Sequence, residues 1–75
     1  MASDKAFKGF LKDVAKRIKV RRAVLGLTQE DMIKFGFNYR HYQRIESGSH
    51  SLTLHTLYRV AQALKTNVHD LLKSV

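Results

Sequence analysis

The groups in this 75-residue sequence that could do chemistry are four histidines, six carboxylates and 14 lysines and arginines. The histidines are His41, His50, His55 and His69; no two stand four apart on one helix, and no Cys completes a ligand set. A zinc-type site needs such clustering, so no metal site is expected. Asp4, Asp13, Asp31 and Glu46 are scattered. No nucleophile stands beside a base, and no Gly-rich loop offers amides to a phosphate. Catalysis therefore has no support, and no cofactor is expected. The surplus is positive charge: the net charge is +8, with an isoelectric point near 10.2. On so small a body that balance draws an anionic partner, nucleic acid first and a membrane surface second.

The elements that must carry this charge read as helices. A chain of this length makes one domain, here residues 1–75, with a core near the lower size limit for folding alone. It has no Pro, which favours unbroken helices. A first segment runs from about Lys5 to Leu25, with Phe7, Leu11, Val14 and Ile18 on one face and Phe10 and Ala15 beside them. Lys5, Lys8, Lys12, Lys16 and Lys19 fall on another face, within about 80° of arc. Such a stripe is a solvated face or a non-specific attraction for a polyanion. A second segment spans Thr28 to Phe35, where Thr28 and Asp31 approximate a capping box and Leu27 and Met32 a hydrophobic staple. A third runs from Tyr39 to about Glu46 behind Asn38 as N-cap, with Tyr42 and Ile45 inward and Tyr39, Arg40, Gln43 and Arg44 outward. Thr53 caps a fourth helix, Leu54 to about Lys65, with Leu57, Val60, Ala61 and Leu64 inward. Asn67 caps a short fifth helix holding Val68, Leu71 and Leu72. Gly26, Gly36 and Gly48 punctuate the pattern, and no segment has the alternation of a strand. The expected class is an all-α domain of five helices.

Several fragments then fall in a familiar order. Leu27-Thr28-Gln29-Glu30-Asp31-Met32 is followed by Arg44-Ile45-Glu46-Ser47-Gly48, then Leu54-His55-Thr56-Leu57, then a tail from Ala61 to Leu72. From about Arg17 to Leu72 the chain resembles the Cro/repressor-like (XRE) family of helix-turn-helix DNA-binding domains. It departs from that pattern in four places. It is one residue shorter around Lys34-Phe35, has Arg21 where a Leu is common, has Lys65 where a Gly is usual, and lacks the Pro often found before the fourth helix.

The resemblance implies a lambda-repressor-like fold whose third helix reads the major groove. Position by position, it makes Tyr39, Arg40 and Arg44 base-reading residues, with His41 and Gln43 secondary. An Arg paired with guanine O6 and N7 contributes about 1–3 kcal/mol of discrimination. It assigns a phosphate contact to Gln29 at the start of the second helix. Asn38 at the next helix start, and the hydroxyls and amides of Ser47, Ser49 and His50 in the loop after it, are further phosphate candidates from their own chemistry. Arg22 and Glu46 correspond to a structural ion pair between the first and third helices. Family members bind as two-fold dimers on half-sites about 34 Å apart. Tyr58, Val68, Leu71 and Leu72, on the last two helices, are the expected dimer contact.

These readings converge on a dimeric regulator of transcription that binds a palindromic double-stranded DNA operator. Its compact size suits restriction–modification controller proteins and small phage repressors of the family. An alternative from another class is an antitoxin-like module that binds a protein toxin as well as DNA. No small-molecule ligand and no membrane partner are expected. A basic amphipathic helix over residues 5–24 could lie on a membrane, but the rest of the chain would then have no role. The opening residues lead into no signal-type apolar run, which with the lack of Cys suits the cytoplasm.

Overall fold

The computed structural model describes residues 2–73. Among them are five helices and no strand. In order these are α1 (Ala2–Val24), a 3₁₀ helix (Glu30–Phe35), α2 (Tyr39–Ser47), α3 (Leu54–Ala63) and α4 (Val68–Leu72). No helix among the described residues is long and apolar enough to cross a membrane.

The starts of the helices follow from local side-chain bonds. The Asn38 Oδ1 accepts from the His41 amide at 3.0 Å, Thr53 Oγ1 from Thr56 at 3.0 Å, and Asn67 Oδ1 from Asp70 at 2.8 Å. Each satisfies an amide that the first helical turn leaves without a partner. Thr28 and Asp31 form the reciprocal box: the Asp31 amide donates to Thr28 Oγ1 at 3.1 Å, and the Thr28 amide to Asp31 Oδ2 at 2.8 Å.

The second segment keeps the Thr28–Asp31 box but differs from the sequence expectation of an α-helix. It winds as a 3₁₀ helix, and Gln29 holds the cap position with no side-chain bond to the backbone. Met32 within it and Phe37 just after it are both buried.

One core joins the helices. Val14 and Ile18 of α1 meet Met32, Phe37, Tyr42, Ile45, Leu57, Val60, Leu64 and Leu71. α1 packs against α2 and α4, α2 against the 3₁₀ helix, and α3 against α4. Phe7 was expected on the inner face and is instead 48% exposed. With 23 residues α1 is about 34 Å long, close to the 38 Å long axis of the molecule, so its first turns run past the helices that could cover them. Leu71, expected in a dimer contact, is only 3% exposed and belongs to this core. A five-residue α4 must spend that side chain on its own docking. Val68 and Leu72 are partly buried against the same core, whereas Tyr58 stays 54% exposed.

Two turns carry most of the backbone constraint. Gly48 ends α2 at φ 69°, and a Cβ there would stand 3.0 Å from Lys12 Cα and 3.3 Å from Ala15 Cβ. Lys65 follows α3 at φ 55°, a left-handed conformation that disfavours a side chain. Arg21 compensates: its Nε donates to the Leu64 carbonyl and its Nη2 to the Lys65 carbonyl, both at 2.9 Å. The two departures at Arg21 and Lys65 are thus one structural unit.

Substitutions at the two turns should act with opposite sign. Gly48→Ala forces both left-handed strain and a backbone clash and should cost on the order of 2 kcal/mol, lowering Tm by roughly 10 °C. Lys65→Gly relieves strain and should raise stability by up to about 1 kcal/mol. Thermal unfolding followed by circular dichroism measures both.

Candidate nucleic-acid interface

The candidate interface is built on α2. Tyr42 is fully buried and Ile45 nearly so, fixing which side of this helix faces the core. At about 100° per residue, Tyr39, Arg40, Gln43, Arg44 and Ser47 then share the opposite arc, with His41 at its edge. All six are exposed, and none is acidic. Among the described residues, the guanidinium groups of Arg40 and Arg44 have no hydrogen-bond or ion-pair partner, unlike those of Arg21, Arg22 and Arg59.

Arg22 fixes the position of this face. Its Nε donates to Glu46 Oε2 at 2.6 Å and its Nη2 to Oε1 at 3.0 Å, a two-pronged pair. Its Nη1 donates to the Leu27 carbonyl. The Arg22 and Glu46 side chains keep only 11% and 2% of their exposure. Gln29 Nε2 donates to Glu46 Oε1 at 3.1 Å and so joins the start of the second segment to the same carboxylate. The Tyr42 hydroxyl is buried beside the pair without a hydrogen bond of good geometry. Burial, then the neighbouring carboxylate, pushes its pKa well above the ordinary tyrosine value. Burial pushes the Glu46 carboxyl up, but the bonds from Arg22 and Gln29 and the nearby Tyr42 outweigh it and hold it below 4.5. Arg22 is raised, chiefly by its bond to Glu46.

The residues expected to touch phosphates lie at both ends of α2. Gln29 is half-buried, with one amide hydrogen committed to Glu46. The Asn38 oxygen is spent on its cap, leaving the amide nitrogen. Beyond the other end, the Ser47 hydroxyl donates to the Arg44 carbonyl at 2.7 Å and meets the Ser49 hydroxyl at 2.7 Å. Ser49 in turn meets His50 Nδ1 at 2.9 Å, so the three form an exposed chain of polar groups. Among the described residues no three His, Asp or Glu side chains come together as metal ligands would.

Sequence reasoning missed Arg59. Its guanidinium carbon lies 4.6 Å from the Phe37 ring centroid, and its Nη2 donates to the Gly36 carbonyl at 3.1 Å. Phe37 in turn meets Tyr42 edge-on at 5.5 Å. Arg59 therefore fastens the turn before α2 to α3. A bond to a carbonyl 23 residues away leaves no local pattern, and only the half-buried position of a cation on α3 hints at it.

Glu46→Ala strands a buried guanidinium and should cost about 3–5 kcal/mol. A chain of this length has about 4–11 kcal/mol in all, so most of its stability would be lost. Because Glu46 is depressed in the fold, the pair's contribution is complete above about pH 4.5 and fades as pH falls through the lower folded value. Urea midpoints should fall below that pH in the natural chain and fall less steeply in Glu46→Gln, which cannot titrate there.

No protein-family model, curated protein or solved structure matches this chain.

Proposed function

We propose that the chain is a sequence-specific DNA-binding regulator of transcription, acting as a homodimer on a palindromic operator. In this reading the 3₁₀ helix and α2 are the helix-turn-helix of a Cro/repressor-like, lambda-repressor-like domain, and α2 enters the major groove. The observation that carries it is the exposed face of α2. Arg40 and Arg44 are free of internal partners on a helix that Arg22, Gln29 and Glu46 hold in place. A rigid helix with two uncommitted guanidinium groups suits guanine edges, each of which takes two parallel hydrogen bonds. Tyr39 suits a thymine methyl or a phosphate, with His41 and Gln43 beside it. Gln29 and Asn38 before α2, and Ser47, Ser49 and His50 after it, bracket the face with groups that suit phosphates. α2 is about 13 Å long, comparable to the roughly 12 Å width of the major groove.

The test is selection of bound duplexes from a randomised pool, with a protection footprint on the winners and Arg40→Ala alongside. The expected site is palindromic, with half-sites about 34 Å apart. Arg40→Ala should relax one base in each half-site and cost about 1–3 kcal/mol per contact. With about four phosphates neutralised per subunit, log K against log salt should fall with a slope near −7. Binding without sequence preference, or a slope shallower than about −2, would overturn the reading and favour a protein partner.

A further inference from the structure

α1 carries a third face that neither the core nor the lysine stripe uses. Ala6, Phe10, Asp13, Arg17, Val20 and Val24 fall within about 80° of arc at about 100° per residue. Phe10, Val20 and Val24 are 43%, 53% and 69% exposed. Their 4-3-4-3-4 spacing is that of a coiled-coil seam. The seam is symmetric about position 15, and its chemistry inverts there. Apolar residues lie at both ends, with an acid on one side of the centre and a base on the other.

We propose that this face pairs with the same face of a second copy of the chain, the two α1 helices running antiparallel. The proposal takes from the function above only that two copies assemble, and it names the surface. A two-fold axis at position 15 sets Asp13 against the partner's Arg17, Phe10 against the partner's Val20 and Ala6 against the partner's Val24. The paired length is about 27 Å. Among the described residues neither Asp13 nor Arg17 is in an ion pair, so both are available across the seam. A parallel pairing would set Asp13 on Asp13 and Arg17 on Arg17, and like charges so placed are disfavoured. Charge thus selects both the partner and its direction.

Two further observations fit. A groove of about 610 Å³ runs between α1 and α4, lined in part by Asp13, Val20, Val24 and Leu71. The partner's Phe10, brought to Val20, would enter it. Gly9 lies beside the seam with nothing within 4 Å of where its Cβ would be. A glycine inside a helix costs about 1 kcal/mol, and nothing within one copy requires it. Close approach of a second helix would.

The test is light scattering on the full chain over a dilution series, without DNA. The natural chain should be a dimer, and Val20→Glu should raise its dissociation constant roughly tenfold or more. Asp13→Arg and Arg17→Asp should each be monomeric alone and should form a heterodimer when mixed, because both charge contacts are then restored. Thermal melts of the three variants establish that the fold is kept. A natural chain that stays monomeric, a dimer indifferent to Val20→Glu, or charge variants that self-associate as well as the natural chain would overturn the proposal. A dimer that ignores DNA defeats the DNA reading alone, and a chain that is monomeric off DNA but still footprints a palindrome as a pair defeats this one alone.

Discussion

The ion pair between Arg22 and Glu46 is the constraint on which the rest of the molecule depends. It joins the end of α1 to the end of α2, and through Leu27 and Gln29 it holds the segment between them. Two nearly buried charges are tolerable because both oxygens and all three guanidinium nitrogens are occupied. A hydrophobic substitute could fill the space but would not fix the angle of α2. Several directed bonds demand a definite geometry of α2, which apolar packing alone does not supply.

Arginine recurs as the fastener of the fold. Arg21 holds the carbonyls after α3, Arg22 the carboxylate of α2, and Arg59 the carbonyl of Gly36. A planar group with five fixed donors suits this work better than a lysine, whose charge is a point on a flexible stem. The net charge of +8 therefore overstates what is free to meet a polyanion. Half of the six arginines are engaged within the fold; among the described residues the exposed Arg40 and Arg44 and the half-buried Arg17 have no such partner.

Legibility from sequence followed the range of each interaction. Asn38, Thr53 and Asn67 cap their helices over three residues, so residue type and position sufficed. Tyr42, Ile45, Val60 and Leu64 lie on faces that periodicity alone identifies, and all are buried. Phe7 misled because its place in the period is right but no helix reaches that far along α1. The 3₁₀ winding of Glu30–Phe35 was hidden because residue types and caps in so short a segment read alike for both kinds of helix. Arg21 and Arg59 were silent for the related reason that their partners lie 43 and 23 residues away. The outward face of α2 was legible as a set of exposed side chains. The commitment of Gln29 to Glu46, which narrows what Gln29 can offer a ligand, was not.

α1 is unbroken from Ala2 to Val24, and its core face, lysine face and Phe10–Val24 face lie about a third of a turn apart. That makes their phases inseparable. Deleting one residue between Phe10 and Val14 would swing everything before it by about 100° and carry Lys5 onto the Phe10–Val24 face, and inserting one would carry Lys5 and Lys8 toward the core face. The three surfaces can therefore change only by substitution, never by a change in length. Drift in this helix is confined to residue identity.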